Sequence, residues 1–93
     1  MYTVIETKRF RHDVKRLGKT GRYDLEKLDR VVDLLSHGEM LSERCDDHPL
    51  RGDAEGSREC HIESDWLLVY ERDRNVLVLS LLRTGTHSQL FHE

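Results

Sequence analysis

The stretch NVLVLSLLR, residues 75–83, is apolar at all but three of its nine positions. A run so evenly apolar suits a central strand covered on both faces, because an edge strand or a half-exposed one would alternate. Two other strand-like runs lead up to it, RECHIE (58–63) and WLLVYER (66–72), and the DRN triplet (73–75) between the last two runs reads as a tight turn. The second half of the chain is therefore expected to be an antiparallel set of strands.

The first half has a different period. YTVIET (2–7) is β-branched and weakly alternating, which reads as a strand, and Thr7 is a suitable N-cap for a helix starting at the next residue. Phe10, Val14 and Leu17 recur at helical spacing and predict a helix from about Lys8 that stops at Gly18. Leu25, Leu28, Val32 and Leu35 predict a second helix, with Asp24 near its start and Gly38 as its stop. From Glu39 to Ser57 the periodicity collapses into a polar stretch with Gly, Asp and the lone Pro49, a long irregular connection of a kind that is often functional in a compact domain. Strand, helix, helix and then antiparallel strands make an α+β domain with helices packed on a sheet.

At 93 residues, with no repeat and no low-complexity tract, the chain has material for one domain, residues 1–93, around a single modest core. With 35% charged and 37% hydrophobic residues and a mean hydropathy of -0.68, it reads as a soluble and rather polar globular protein. No apolar stretch approaches the length needed to span a bilayer, and no basic segment followed by an apolar run marks a secretory signal, so the expected compartment is the cytoplasm. Cys45 and Cys60 are expected to be free thiols there, since no CxxC spacing suggests a metal ribbon or a redox pair.

The net charge of -3 conceals an asymmetry. Residues 1–30 hold nine Lys/Arg against five Asp/Glu, residues 31–65 hold three against ten, and the remainder balances. A basic N-terminal third can face phosphates while an acidic middle points elsewhere, although ordinary solvated helix faces produce the same count.

Reactive side chains concentrate in the second half: His48, His61, Asp65, Arg83 and His87, followed by Phe91. If the strands pair as proposed, His61 lies on one strand, Asp65 at the turn into the next and Arg83 at the end of the third, with loop residues His48 and His87 closing the group. Imidazoles, a carboxylate and a guanidinium are what RNA cleavage needs. A 2′-hydroxyl must lose a proton, the leaving 5′-oxygen must gain one, and charge on the phosphoryl oxygens needs a fixed cation. Histidine suits both proton transfers near neutrality, Arg83 would supply planar phosphate recognition, and Phe91 could stack on a base. Duller readings exist for each residue. A lone histidine is often satisfied by a backbone partner, Asp65 could cap a turn, Trp66 opens an apolar strand and reads as core or as a supporting wall, Arg83 could be half of an ion pair, and Phe91 could anchor the tail. His12, His37 and His92 read as surface residues. A zinc site drawn from His48, His61, Asp65 and His87 is a further alternative, weakened by the absence of HxH or HExxH spacing.

Three stretches, DHPLRG (47–52), CHIESDWLLVY (60–70) and RTGTHSQLF (83–91), resemble the signatures of the YafQ branch of the RelE/ParE superfamily of toxins: D-H-P-L-x-G, H-x-E-x-D-W-x-L-x-Y and R-T-G-T-H-x-x-L-F. The match runs from residue 46 to residue 91, in order and at compatible spacing. The resemblance implies a small RelE-like, microbial-ribonuclease fold, with the N-terminal strand and two helices on a twisted antiparallel sheet. It implies the toxin of a type II toxin–antitoxin pair, an endoribonuclease that enters the ribosomal A site and cuts mRNA with no cofactor and no metal. By the same resemblance His48, His61, Asp65, Arg83 and His87 would be catalytic, Phe91 would contact substrate, and Trp66 would support or line the substrate site. The implied roles are His87 as general acid, Asp65 or His48 as general base, His61 and Arg83 on the phosphate, and Phe91 orienting a base. The implied partners are mRNA, the ribosome and a cognate antitoxin, in an assembly of two toxins and two antitoxins that meets DNA only through the antitoxin. The alternatives are a superfamily toxin without nuclease activity, such as a gyrase inhibitor of the ParE kind, and a module that binds antitoxin without catalysis.

Overall fold

The computed structural model describes residues 1–50 and 56–91. Its elements are β1 (Thr3–Glu6), α1 (Lys8–Thr20), α2 (Leu25–Ser36), a 3₁₀ turn (Glu43–Cys45), β2 (His48–Pro49), β3 (Arg58–Glu63), β4 (Trp66–Asp73), β5 (Val78–Gly85) and α3 (His87–Phe91). All the strands join one sheet in the order β1-β5-β4-β3-β2. Pairing is antiparallel except between β1 and β5, which run parallel with Thr3 opposite Val78 and Glu6 opposite Leu81. A parallel neighbour needs a crossover, and α1, α2 and the strands after them provide the length for one.

Helix α1 is capped as the sequence indicates, Thr7 Oγ1 accepting from the Phe10 amide at 3.1 Å. It does not stop at Gly18 but continues to Thr20, where Gly21 at φ 70° closes it in the left-handed conformation that glycine adopts without strain. Asp24 caps α2 through the Glu26 amide. Phe10, Leu17, Leu28, Val31 and Leu35 of the two helices pack on Cys60, Trp66, Leu68, Tyr70, Leu79 and Leu81 of the sheet, which forms the main core. Across the sheet a smaller cluster of Leu67, Val69 and Leu90 is flanked by Leu50 and Leu82.

Two expectations shift in detail. The strand buried on both faces is β4, whose residues 66–70 are all buried, and it holds the middle of the sheet. The more apolar run at 75–83 enters the sheet only at Val78, because Asn75, Val76 and Leu77 form the turn. Asp73 organises that turn by accepting from the amides of Asn75 and Val76, and Leu77 takes a φ of 54°. The polar connection after α2 is also less irregular than it reads. It contains the 3₁₀ turn and β2, the latter anchored by Asp47, which accepts from the Tyr70 hydroxyl at 2.8 Å and from Arg58 Nε at 3.1 Å. Residues 51–55, including Gly52 of the DHPLRG stretch, lie outside the described residues, as does His92. Cys45 and Cys60 are free thiols, and His12 and His37 are exposed. Among the described residues no helix is long and apolar enough to cross a membrane.

Candidate active site

Alternation along β3 sorts its side chains onto two faces. Cys60 points into the core beneath α1 and α2, so Glu59 and His61 stand on the other face, opposite Val69 and Leu67 of the smaller cluster. His48 of β2 lies directly across from Glu59 in register. The pairing brings His48 Nε2 within 3.5 Å and His61 Nε2 within 3.8 Å of the same Glu59 oxygen. Glu59 is a nearly buried carboxylate set between two imidazoles. Asp46, in the left-handed conformation at the end of the 3₁₀ turn, adds a second carboxylate at 3.9–4.0 Å from the same two nitrogens. The other ring nitrogen of His48 sits 3.1 Å from the Pro49 carbonyl, which fits an Nδ1–H donor.

His87 reaches this group from α3. Thr86 and Gln89 form a reciprocal capping box, the Thr86 amide donating to Gln89 Oε1 at 2.9 Å and the Gln89 amide to Thr86 Oγ1 at 3.2 Å, so His87 opens a helix rather than lying in a loop. Asp65, in the turn from β3 to β4, accepts from His87 twice, from the backbone amide at 3.1 Å and at Nδ1 at 2.9 Å. Those two bonds, the ring one first, hold the Asp65 carboxyl below the usual carboxylate range. The rings of His61 and His87 lie 5.8 Å apart, and Phe91, one helical turn beyond His87, has its ring 6.3 Å from the imidazole and remains 37% exposed.

His48, His61, Asp65, His87 and Phe91 thus form one connected group on one face. Two other predicted residues are placed differently. Trp66 is in the core on the helix side, edge-on to Tyr23, and donates to Thr84 Oγ1 at 2.9 Å. Its ring is tied to β5 and, being buried, offers no face to a substrate. Arg83 is taken up by Asp13 of α1, to which it donates from Nε at 2.7 Å and Nη2 at 3.1 Å. It reaches its place through a bulge at Leu82, where the register shifts so that Arg83 faces Val69. Gly85 takes a φ of 156°, which side chains rarely adopt, and a Cβ there would lie 2.7 Å from the mobile end of the Gln89 side chain.

Three residues escape a sequence reading guided by histidines: Glu59, Asp46 and Asp13. Glu59 was detectable, since it lies two residues before His61 on a strand and so shares its face. Asp13 was signalled as an acidic residue on the apolar stripe Phe10–Val14–Leu17 of a helix. The metal-capable set also differs from a zinc set of His48, His61, Asp65 and His87: Glu59, His61 and His87 place ligand atoms within 4.8 Å of one another, while Asp65 is engaged with His87. One carboxylate and two imidazoles fit a first-row transition metal.

The chain as a whole is similar to known proteins. Residues 2–92 match the model of a family described as the bacterial toxin of type II toxin–antitoxin system, YafQ. The chain is 39% identical over 80 residues to the mRNA interferase toxin YafQ of Escherichia coli, covering 85% of this chain and 84% of that protein. Among solved structures, a metal-bound toxin from Helicobacter pylori superposes with a TM-score of 0.91 at 42% identity, covering 98% of this chain and 100% of the other. The toxin of the Escherichia coli DinJ-YafQ complex superposes with a TM-score of 0.86 at 34% identity, over 98% and 99%. With the family pattern spanning nearly its whole length and these relatives at such identity, the chain belongs to the YafQ family of bacterial type II toxins.

Proposed function

We infer that this protein is an mRNA interferase, an endoribonuclease toxin that cuts mRNA in the ribosomal A site by attack of a 2′-hydroxyl on the adjacent phosphate and is neutralised by a cognate antitoxin. The observation that carries the reading is the single connected group of three imidazoles, each paired with a carboxylate, on the sheet face that α1 and α2 leave open. His87 is the general acid. Its Nδ1 contact with Asp65 sets the tautomer, so proton exchange with the leaving 5′-oxygen runs through Nε2. Asp65, committed to His87 and held in its ionised form, is a poor base, which leaves that role to His48. With Nδ1–H on the Pro49 carbonyl, His48 Nε2 can take the 2′-hydroxyl proton, and Glu59 stabilises the imidazolium that results. His61 and Arg83 meet the phosphate, and Phe91 stacks on a base.

Dependence on the ribosome stems from the charge of the pocket. Asp46, Glu59 and Asp65 border it and Arg83 is half-neutralised by Asp13, so free RNA is attracted weakly and a ribosome must present the substrate. The exposed Lys8, Arg9, Arg11, Lys15 and Lys19 of α1 supply the basic surface for ribosomal RNA. The compartment is then the cytoplasm, where ribosomes are. The antitoxin partner rests on the DinJ-YafQ complexes of the relatives, and two toxins with two antitoxins, contacting DNA through the antitoxin, is the assembly proposed. Glu59, His61 and His87 would hold any transition-metal ion at the site, where it would supply positive charge beside the phosphate. Cleavage by His87 and His48 does not require it. Purified protein added to an in vitro translation reaction, with transcript ends mapped in the presence and absence of a chelator selective for transition metals that leaves ribosomal Mg²⁺ in place, tests the reading. Ribosome-dependent cuts that survive chelator are the expected result; intact transcripts, or cuts abolished by chelator, would overturn it.

A further inference from the structure

Among the described residues Asp13 is the most buried charged one, 2% exposed, and it belongs to no part of the histidine group. Four donors converge on its carboxylate: Arg83 Nε at 2.7 Å, Arg83 Nη2 at 3.1 Å, the Thr84 amide at 3.1 Å and Arg16 Nη1 at 2.9 Å. Burial alone would raise its pKa, but the Arg83, Thr84 and Arg16 bonds outweigh that and hold it below the usual value. The location explains the convergence. Strand β1 ends at Glu6, opposite Leu81, while β5 runs on to Gly85. Past that point α1 replaces the missing neighbour, Thr7 binding the carbonyls of Leu81 and Leu82 and Asp13 binding the amide of Thr84. Asp13 therefore grips β5 at the residue after Arg83 and three residues before His87.

A buried ion pair is weak evidence for stability, since apolar residues of similar size often do as well. What a carboxylate does here that a leucine cannot is fix the plane of a guanidinium. Arg83 has five N–H donors. Asp13 takes one on Nε and one on Nη2, and among the described residues Nη1 has no partner. We propose that Asp13 is a positioning residue for RNA cleavage, holding the Arg83 fork in the orientation from which its remaining N–H donors meet the scissile phosphate. This rests on the proposed nuclease activity.

The test compares wild type, Asp13→Asn, Arg83→Ala and the double variant on ribosomes programmed with a susceptible mRNA, measuring kcat and KM separately. Asp13→Asn keeps the volume and removes the charge that orients Arg83. It is expected to lower kcat by about 10–100-fold with KM nearly unchanged, and the double variant should be no slower than Arg83→Ala alone. Wild-type kcat in Asp13→Asn, or losses that multiply in the double variant, would overturn the proposal. Should Asp13→Asn not fold, Arg83→Lys keeps the charge and abolishes the two-pronged bond; it is expected to be nearly as slow as Arg83→Ala, and wild-type activity would count against positioning. If wild type itself fails to cut, the nuclease reading fails first. The Arg83 Nε–H resonance then still decides the geometry, slow hydrogen exchange supporting the Asp13 grip and fast exchange refuting it.

Discussion

The two faces of the sheet share the same strands and have opposite chemistry. Toward α1 and α2, Cys60, Trp66, Leu68, Tyr70, Leu79 and Leu81 are closed under helix side chains. On the other face, among the described residues, the five-residue α3 and Leu50 cover only Leu67, Val69 and their neighbours, and His48 and His87 keep side-chain exposures of 43% and 41%. One residue step along β3, from Cys60 to His61, separates the packed core from the candidate site. A small domain can therefore hold its stability on one face and leave the other to polar groups that gain nothing from burial but must be aimed.

That division predicts separable effects. His87→Ala is expected to slow the chemical step by about 10²–10⁴-fold, the range for loss of a general acid, while thermal unfolding of the partly exposed site barely moves; single-turnover cleavage and calorimetry measure the two. Leu68→Ala on the closed face should do the reverse, costing about 2–5 kcal/mol of stability and leaving the rate per folded molecule unchanged, read by denaturant titration beside the same cleavage assay. Asp65→Asn should fall between, slowing cleavage by about 10²-fold through a misaimed His87 with little change in unfolding. A marked loss of stability from His87→Ala, or of per-molecule rate from Leu68→Ala, would break the division.

A narrower effect, on the pH dependence of stability, belongs to Asp13, whose carboxylate ties α1 to β5. Its folded-state pKa is lowered from 3.8, so its stabilisation is present above about pH 4 and is lost as pH falls through the lowered value. The stability gap between wild type and Asp13→Asn should accordingly narrow in acid, as unfolding measured from pH 7 to pH 2 will show.

Much of this plan is readable from the chain because local signals agree with the global fold. Thr7 and Asp24 cap the helices they precede, and RECHIE forms a strand with those bounds. The failures have physical causes. Gly18 does not end α1, since a glycine inside a helix is tolerated when a better left-handed stop, Gly21, lies just beyond. β2 is only two residues long and owes its place to Asp47, Tyr70 and Arg58, contacts up to 23 residues apart that no local pattern encodes. At the site, His48, His61, Asp65, His87 and Phe91 are legible as reactive types. Glu59 and Asp13 carry fainter signals, a strand face shared with His61 and a place on an apolar helix stripe, because carboxylates are common and burial is what sets these two apart.

The central claim, that the open face transfers protons around a phosphodiester, is tested most directly by the ends of the cut RNA. Attack by the neighbouring 2′-hydroxyl predicts a 5′-hydroxyl on one fragment, a 2′,3′-cyclic or 3′-phosphate on the other, and no cut where the scissile nucleotide carries a 2′-O-methyl group. Fragments bearing a 5′-phosphate, or cleavage that persists at the methylated position, would contradict it.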